Sequence, residues 1–482
     1  MESTLTAESV TELSKENYLS GLESIVKEKY NSATFTHSPF PREDWKNLTN
    51  KGIMLSMIPK EFGGRNSHHE LCDLIEIIST YNLPLGMYTM IITALFIRNI
   101  TKYGSDHVKN EVLPKFSKEA LIGGFALTEP NCGSNLAKMT TTFEKTENGY
   151  LIKGEKHWQA FSNTADWWLV AAKNTKNEKD FAYFIIKRNE GWQNVEEYNA
   201  LGLKAIDYGR NKINAFVPEY RRLNITADQL SGATDMLCAS RLIMSAMASG
   251  FITRIYKEVQ QKTQSRKIGN GTLQNIGYVQ YKLKQVAANS IISKALFLFL
   301  KNKIDLRTQL LDHFFEAQCM KVLATDKMLE SALIYQQLCG GEGYRYDSPS
   351  NNAALALLDS RVYTIFDGTN DLLSQQITEF CMKKSSQGTL VEFLSTFDKT
   401  KEGMKHINFD ISVINNNTTQ ERKVINGQII SRIFGLHCLE EAKSITEPHH
   451  LTPKNTRNGI LFLIADIQKS IMETEILIMQ LS

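Results

Sequence analysis

The chain has 482 residues, more than a single hydrophobic core organises, so roughly two to four packed units are expected. At 42% hydrophobic and 22% charged residues the composition is that of a globular protein and excludes a disordered one. The net charge is only +3 and the basic residues are dispersed, with no Lys/Arg stripe and interleaved aromatics to mark a nucleic-acid surface.

Seven cysteines, Cys72, Cys132, Cys238, Cys319, Cys339, Cys381 and Cys438, lie far apart with no Cys-x-x-Cys spacing, so neither a disulfide framework nor a metal site is expected. The first residues lack a basic stretch followed by an apolar run, which argues against a secretory signal. No window reaches the roughly 18 apolar residues of a membrane helix, since Leu242 to Ile252 is too short and contains serines. The expected setting is soluble, reducing and cytoplasmic, with no membrane span.

Residues 1–122 are expected to form an N-terminal helical domain. Glu70 to Ser79 and Met87 to Ile100 carry apolar residues at helical spacing, punctuated by Pro59, Gly63-Gly64, Pro84 and Gly104. The pattern changes near Gly123, and residues 123–227 predict a middle β-domain, a small barrel or sandwich. Asn148-Gly149 predicts a type I′ hairpin turn between Thr140–Glu144 and Tyr150–Lys153. Trp168–Ala172, Phe181–Ile186 and a run ending at Phe216-Val217-Pro218 read as further strands.

Residues 228–385 turn helical again. Leu237 to Gln264, Ile276 to Leu300 and Gln309 to Leu338, continued around Glu379, predict a C-terminal four-helix bundle. Ala239, Ser245, Ala246, Ala248, Ser249 and Gly250 let neighbouring helices approach the first of them closely. Residues 386–482 read as a helical extension, with a polar loop at Asn415–Thr419 and amphipathic helices at Val424–Lys443 and Asn458–Leu481. Such an extension suits covering the bundle, forming an oligomer contact or binding a protein partner. The predicted fold class is therefore α+β: helical domain, small β-domain, four-helix bundle and helical extension.

Gly340-Gly341-Glu342-Gly343-Tyr344 closes a long helical pattern. Glycine has no Cβ and tolerates positive φ, so a ligand can come close there, although such a cluster often serves only as a helix stop. Asp367-Gly368-Thr369, with Asp371 just beyond, offers a carboxylate on a tight turn, either a proton acceptor facing a ligand or a plain turn. Thr128, Glu129, Gly133 and Ser134 bracket Pro130 and can cradle a phosphate or a ring edge, or make an ordinary surface loop. Trp158 suits either a buried aromatic of the β-domain or a ring stacked on a ligand. Arg241 and Arg266 carry the planar, always charged group that phosphate favours, and Arg266 suits a solvated surface equally.

Together these segments resemble the acyl-CoA dehydrogenase family over about residues 40–385. Gly340–Tyr344, Asp359-Ser360-Arg361 and Ile365-Phe366-Asp367-Gly368-Thr369 are similar to its Gly-Gly-x-Gly-Tyr, Arg-Asp-x-Arg and Ile-Tyr-Glu-Gly-Thr signature. Leu127–Ser134 resembles Leu-Thr-Glu-Pro-x-x-Gly-Ser-Asp, with Asn135 replacing the final Asp, and Lys156-His157-Trp158 resembles Lys-x-Trp-Ile-Thr-Asn. Ile58–Gly64, and Tyr103–Asp106 followed by Leu113-Pro114, resemble landmarks of the family's N-terminal domain.

The resemblance implies FAD as cofactor and an acyl thioester, on CoA or a carrier protein, as substrate. It also implies an electron-transfer flavoprotein or oxygen as electron acceptor and a homodimer or homotetramer. By the same resemblance Asp367 is the general base that removes the α-proton while flavin takes hydride from the β-carbon, and Arg241 lies near the catalytic centre. Thr128, Ser134, Trp158, Arg266, Gly340, Gly341, Thr369 and Asp371 are the implied FAD contacts, and Glu342 is expected at the surface.

Several positions depart from the family pattern. Asp367 stands for a glutamate, Ala160 for a hydroxyl residue, Phe161 for an asparagine and Gly277 for an adenine-contacting glutamine. Lys267–Gly271 replaces a Phe-Gly, and Ser240 occupies the place where some relatives carry their base. Two alternatives to dehydrogenation follow: a flavin-dependent oxidase or monooxygenase akin to nitroalkane oxidase, and a non-catalytic subunit with weakened FAD binding.

Overall fold

The computed structural model describes residues 10–32, 38–133, 136–177, 180–225, 229–385, 388–416, 419–445 and 451–481. It divides into two compact units, Met1–Ser240 with Leu306–Leu311, and Arg241–Asp305 with Asp312–Ser482.

The first unit begins with helices Lys15–Lys29, Arg42–Asn50 and His68–Tyr81. Ser67 caps the third through its hydroxyl, and Asn82 then caps Leu83–Met90, where Pro84 sits in the first turn and needs no amide donor. The helix expected over Met87–Ile100 is not uniform. Leu83–Met90 passes into a π-helical stretch, Ile91–Ile97, before Arg98–Tyr103 resumes α geometry. All seven residues of the π stretch are buried, which is why its sequence shows an apolar run and no polar face.

The seven-stranded sheet comprises β1 (Gly123–Ala126), β2 (Thr142–Thr146), β3 (Gly149–Ala160), β4 (Trp167–Asn174), β5 (Phe181–Lys187), β6 (Trp192–Tyr198) and β7 (Tyr208–Pro218). The order is β1-β4-β2-β3-β7-β6, with β5 paired to β4. The hairpin expected at Asn148-Gly149 forms one residue earlier. Thr146 pairs with Gly149, so Glu147-Asn148 make the turn, and the positive φ that a type I′ turn demands is absent from both. Gly149 serves packing instead, because a Cβ there would lie 2.3 Å from the Val217 carbonyl oxygen of β7.

In the second unit, the Gly277–Lys303, Phe314–Cys339 and Asn370–Lys384 helices follow the expected bundle segments with shifts of a few residues at their ends. The Gln420–Ala442 helix of the extension packs against all three and against the Pro453–Leu481 helix. Its Gly427 is required by close approach, since a Cβ there would lie 1.8 Å from the Ser374 carbonyl oxygen. Part of the loop expected at Asn415–Thr419 lies outside the described residues.

Three helices, Leu83–Tyr103, Ser231–Ser265 and Gly277–Lys303, are long and apolar enough to cross a membrane, contrary to the expectation that none is. That expectation counted unbroken apolar runs, whereas core helices reach the same mean hydropathy with small polar residues interspersed. Their most apolar windows are 94%, 89% and 67% buried within the protein. All seven cysteines are buried free thiols.

Candidate active site

In the second unit the Ala353–Arg361 helix runs through a short 3-10 turn into Asp367 and Gly368, with φ of 55° and 92°. Aspartate tolerates the left-handed region better than most residues, because its short side chain can bond locally, but it is still strained there. Thr369 then caps the Asn370–Lys384 helix, its hydroxyl accepting from the Leu372 amide at 3.3 Å. Asp367 therefore stands just ahead of a 15-residue helix, with Thr369 and Asp371 exposed beside it.

Two cations grip the backbone of this turn. Arg241, 7% exposed, donates from Nε to the Asp367 carbonyl at 2.9 Å. Lys321, fully buried on the Phe314–Cys339 helix, donates from Nζ to the Gly368 carbonyl at 2.8 Å and to Asn370 Oδ1 at 2.7 Å. Burial pushes the Lys321 ammonium down to about 7, against the pull of Asp367 and with the push of Arg241. Gly368 cannot be larger without a shift, since a Cβ would lie 2.9 Å from Leu373 Cδ2.

A second cluster of the same unit joins Arg266 to the glycines. Gly340 ends the Phe314–Cys339 helix with φ of 66°, and its absent Cβ would lie 3.1 Å from Arg266 Nη1. A Cβ on Gly341 would meet nothing within 4 Å. An exposed guanidinium beside bare, open backbone suits a phosphate. The Lys267–Gly271 substitution for Phe-Gly folds as a small hairpin, Lys267–Ile268 against Gly271–Thr272, and exposed Gly277 opens the next helix with no side chain to offer. Glu342 is exposed.

In the first unit the β3–β7 ladder shifts register between His157 and Gln159, and Trp158 occupies the bulge with φ of 60°. Its indole is 55% exposed, with the Tyr198 ring centroid 4.7 Å away, so it is not a core aromatic. A left-handed tryptophan on an exposed bulge is the kind of strain that binding sites retain. Phe161 is also left-handed but fully buried, its ring against Tyr88 at 4.5 Å. The aromatic that replaces the family's asparagine is thus spent on the core.

Thr128 presents its carbonyl to the His157 amide at 3.1 Å and to Gln159 Nε2 at 3.1 Å, which ties the Thr128 loop to the bulge. Buried Glu129 anchors that loop, accepting from Lys156 Nζ at 2.8 Å and from Thr140 and Thr141. Burial alone would raise the Glu129 carboxyl, but Lys156 and the threonine donors bring it down to about 2. Ser134 and Asn135 lie outside the described residues.

Of the site residues expected from sequence, the structure joins Arg241 to the Asp367-Gly368 turn, and Arg266 to Gly340. Lys321, Asn370 and Asp326 were not anticipated. The sequence carried little signal for them, since the burial of Lys321 within the stretch Phe315 to Thr325 is known only from the structure. Within the second unit the residues present fit the phosphates of FAD, since exposed Arg266 lies beside the bare backbone of Gly340 and Gly341. In the first unit, taken by itself, the exposed Trp158 indole has the chemistry to stack on a ring. Ala160 supplies no hydroxyl to the ring.

Three family models match in order: the acyl-CoA dehydrogenase N-terminal domain at residues 16–120, the middle domain at 124–215 and the C-terminal domain at 231–382. An acyl-CoA dehydrogenase of Bacillus subtilis (strain 168) is 26% identical over 71% of this chain and 90% of its own length. The mitochondrial isovaleryl-CoA dehydrogenase of Solanum tuberosum is 25% identical over 76% and 87%. Among solved structures, an acyl-CoA dehydrogenase from Bacillus anthracis, complexed with FAD, superposes with a TM-score of 0.77 at 17% identity. That superposition covers 96% of this chain and 89% of the other, so it takes in most of the extension as well. The chain belongs to the acyl-CoA dehydrogenase family of FAD-dependent oxidoreductases.

Proposed function

We propose that the protein dehydrogenates an acyl thioester between its α- and β-carbons, with Asp367 as the base. The observation that carries this reading is the Asp367-Gly368 turn, a carboxylate held in a left-handed conformation by Arg241 and Lys321. When bound, FAD supplies a hydride acceptor for the β-carbon. Asp367 takes the α-proton onto a carboxylate oxygen, while Arg241 and Lys321 fix the backbone from which that carboxylate projects. Arg266, Gly340 and Gly341 would hold the pyrophosphate. Family resemblance supports a homo-oligomer that shares the cofactor, and an electron-transfer flavoprotein as acceptor.

The aspartate is one methylene shorter than the family's glutamate, and Ala160 lacks a hydroxyl. Both favour a second reading, in which the base serves a closer-lying or more acidic substrate and oxygen takes the electrons.

The deciding experiment is the anaerobic visible spectrum of the FAD-loaded protein with butyryl-, isovaleryl-, octanoyl- and palmitoyl-CoA. Bleaching by any of them supports dehydrogenation of acyl-CoA. A yellow protein that none bleaches counts against it and directs the search to carrier-bound acyl groups, with oxygen consumption as the readout. A protein that stays colourless after incubation with FAD overturns both readings in favour of a non-catalytic subunit.

A further inference from the structure

The turn that carries Asp367 is gripped from behind by a chain of polar contacts that ends outside the matched C-terminal domain, whose model stops at residue 382. Lys321 binds Gly368 and Asn370 as described above. The Asn370 side-chain amide donates in turn to Asp326 Oδ1 at 2.7 Å and to Thr325 Oγ1 at 3.0 Å. The second oxygen of Asp326 accepts from Arg432 Nη2 at 2.7 Å. Arg432 lies on the Gln420–Ala442 helix of the extension, its side chain 12% exposed against 30% for Asp326.

A separate contact binds the same two elements. Thr378, on the helix that Asn370 begins, donates its hydroxyl to the Lys423 carbonyl at 2.6 Å, and Gly427 meets Ser374 backbone to backbone. The extension helix thus clamps the helix whose first residue is Asn370, and at Asp326 it holds the partner that orients the Asn370 side chain.

The physical need for such a clamp is visible in the turn. Successive left-handed residues at Asp367 and Gly368 are strained at the non-glycine one and persist only where surrounding contacts over-determine them. Asn370 is two residues beyond Gly368. Its amide must point at Asp326 for its oxygen to face Lys321, because an amide presents donor and acceptor on opposite atoms. Removing the Arg432 charge frees Asp326 to turn away. Asn370 can then flip, and Lys321 loses the acceptor that aims it at the Gly368 carbonyl.

We propose that Arg432 is a positioning residue for Asp367: the C-terminal extension braces the catalytic turn through Asp326, Asn370 and Lys321. Its catalytic consequence rests on Asp367 being the base, whereas the brace itself does not.

The test uses the full-length, FAD-loaded protein and the variants Arg432→Met and Arg432→Lys. In hydrogen–deuterium exchange the peptide covering residues 366–373 exchanges about fivefold or more faster in Arg432→Met, and at an intermediate rate in Arg432→Lys. With whichever of the four acyl-CoA thioesters bleaches the wild type, kcat falls by roughly five- to twentyfold while KM stays within about twofold, and Arg432→Lys recovers part of the loss. If Arg432→Met does not fold, Asp326→Asn, isosteric and partly exposed, carries the same measurements. Unchanged exchange at residues 366–373 in a folded variant overturns the brace, and faster exchange with unchanged kcat overturns the positioning role. Should the wild type reduce no thioester, the functional reading fails by itself, and the exchange measurement still decides the brace.

Discussion

Two buried charged networks, one in each unit, show how differently the same residue types are used. In the first unit Asp235 is completely buried and its carboxylate is saturated. It accepts from Arg98 Nη1 and Nη2 at 2.9 and 3.2 Å, Lys102 at 2.9 Å, Tyr103 at 2.8 Å and the Leu310 amide at 2.6 Å. Arg98 also donates to the carbonyls of Leu306 and Thr308, so the cluster stitches the Leu306–Leu311 segment to the helical domain. In the second unit the donors Arg241 and Lys321 land on the backbone carbonyls of Asp367 and Gly368. In the first network the cations converge on one buried carboxylate and reach nearby carbonyls as well, whereas in the second they hold the backbone of the turn from which the Asp367 carboxylate projects.

The largest expected effect is the sharpest test of that contrast. Asp367→Asn keeps the carbonyl that Arg241 grips, so FAD stays bound and the fold stays intact, while thioester-dependent bleaching slows by about 10²- to 10⁴-fold. Full activity in this variant, followed by stopped-flow absorbance, removes Asp367 from the mechanism. Asp235→Asn should do the reverse. It leaves Arg98 and Lys102 buried without their counter-charge, at a cost of about 3–5 kcal/mol, read as a lowered denaturant midpoint. The specific activity of the molecules that remain folded is unchanged, and a proportional loss of both would erase the distinction between the two networks.

Gly368→Ala is a smaller perturbation that acts at the turn alone. Its φ of 92° and the 2.9 Å approach of Leu373 Cδ2 predict a loss of about 1–3 kcal/mol and a lower kcat, measured by thermal melts and by turnover. The subtlest effect is a pH dependence. Lys321 titrates near 7 in the folded state and near its ordinary 10.5 when unfolded, so between those values the unfolded chain binds the extra proton. Stability therefore rises as pH increases from 7 toward 10.5, and the penalty of burying the lysine is fully present below pH 7. Comparing wild type with Lys321→Met by urea titration at pH 6.5 and pH 9 should show the difference narrowing or reversing toward the alkaline side. An identical difference at both pH values would place Lys321 outside the buried, depressed class.

How much of this was legible in the sequence varied residue by residue. Asp367 and the glycine cluster could be picked out because Asp-Gly and Gly-Gly favour the left-handed turns found at Asp367, Gly368 and Gly340, whereas Arg241 and Arg266 stood out through their side-chain chemistry and the family resemblance. Trp158 was a candidate from sequence, but its exposure was not legible there, because a bulge depends on the register between β3 and β7, set by side chains far away in sequence. Lys321 was hidden by its own helix, since one lysine among apolar residues looks like a solvent-facing break until burial is known. The ion pair of Asp326 with Arg432 joins residues 106 apart, and Arg432 lies beyond the stretch in which any family motif could be traced.

The order of the elements, the strands and helices themselves, the α+β class and the carboxylate turn were determined by the sequence alone, because periodicity, glycine placement and side-chain chemistry are local properties. The hairpin register at Gly149, the exposure of Trp158, the membrane-like apolarity absorbed by the core and the brace on Asp367 were decided only by tertiary structure. Each depends on which distant group comes to lie against a given atom, and that is a property of packing that no stretch of sequence contains.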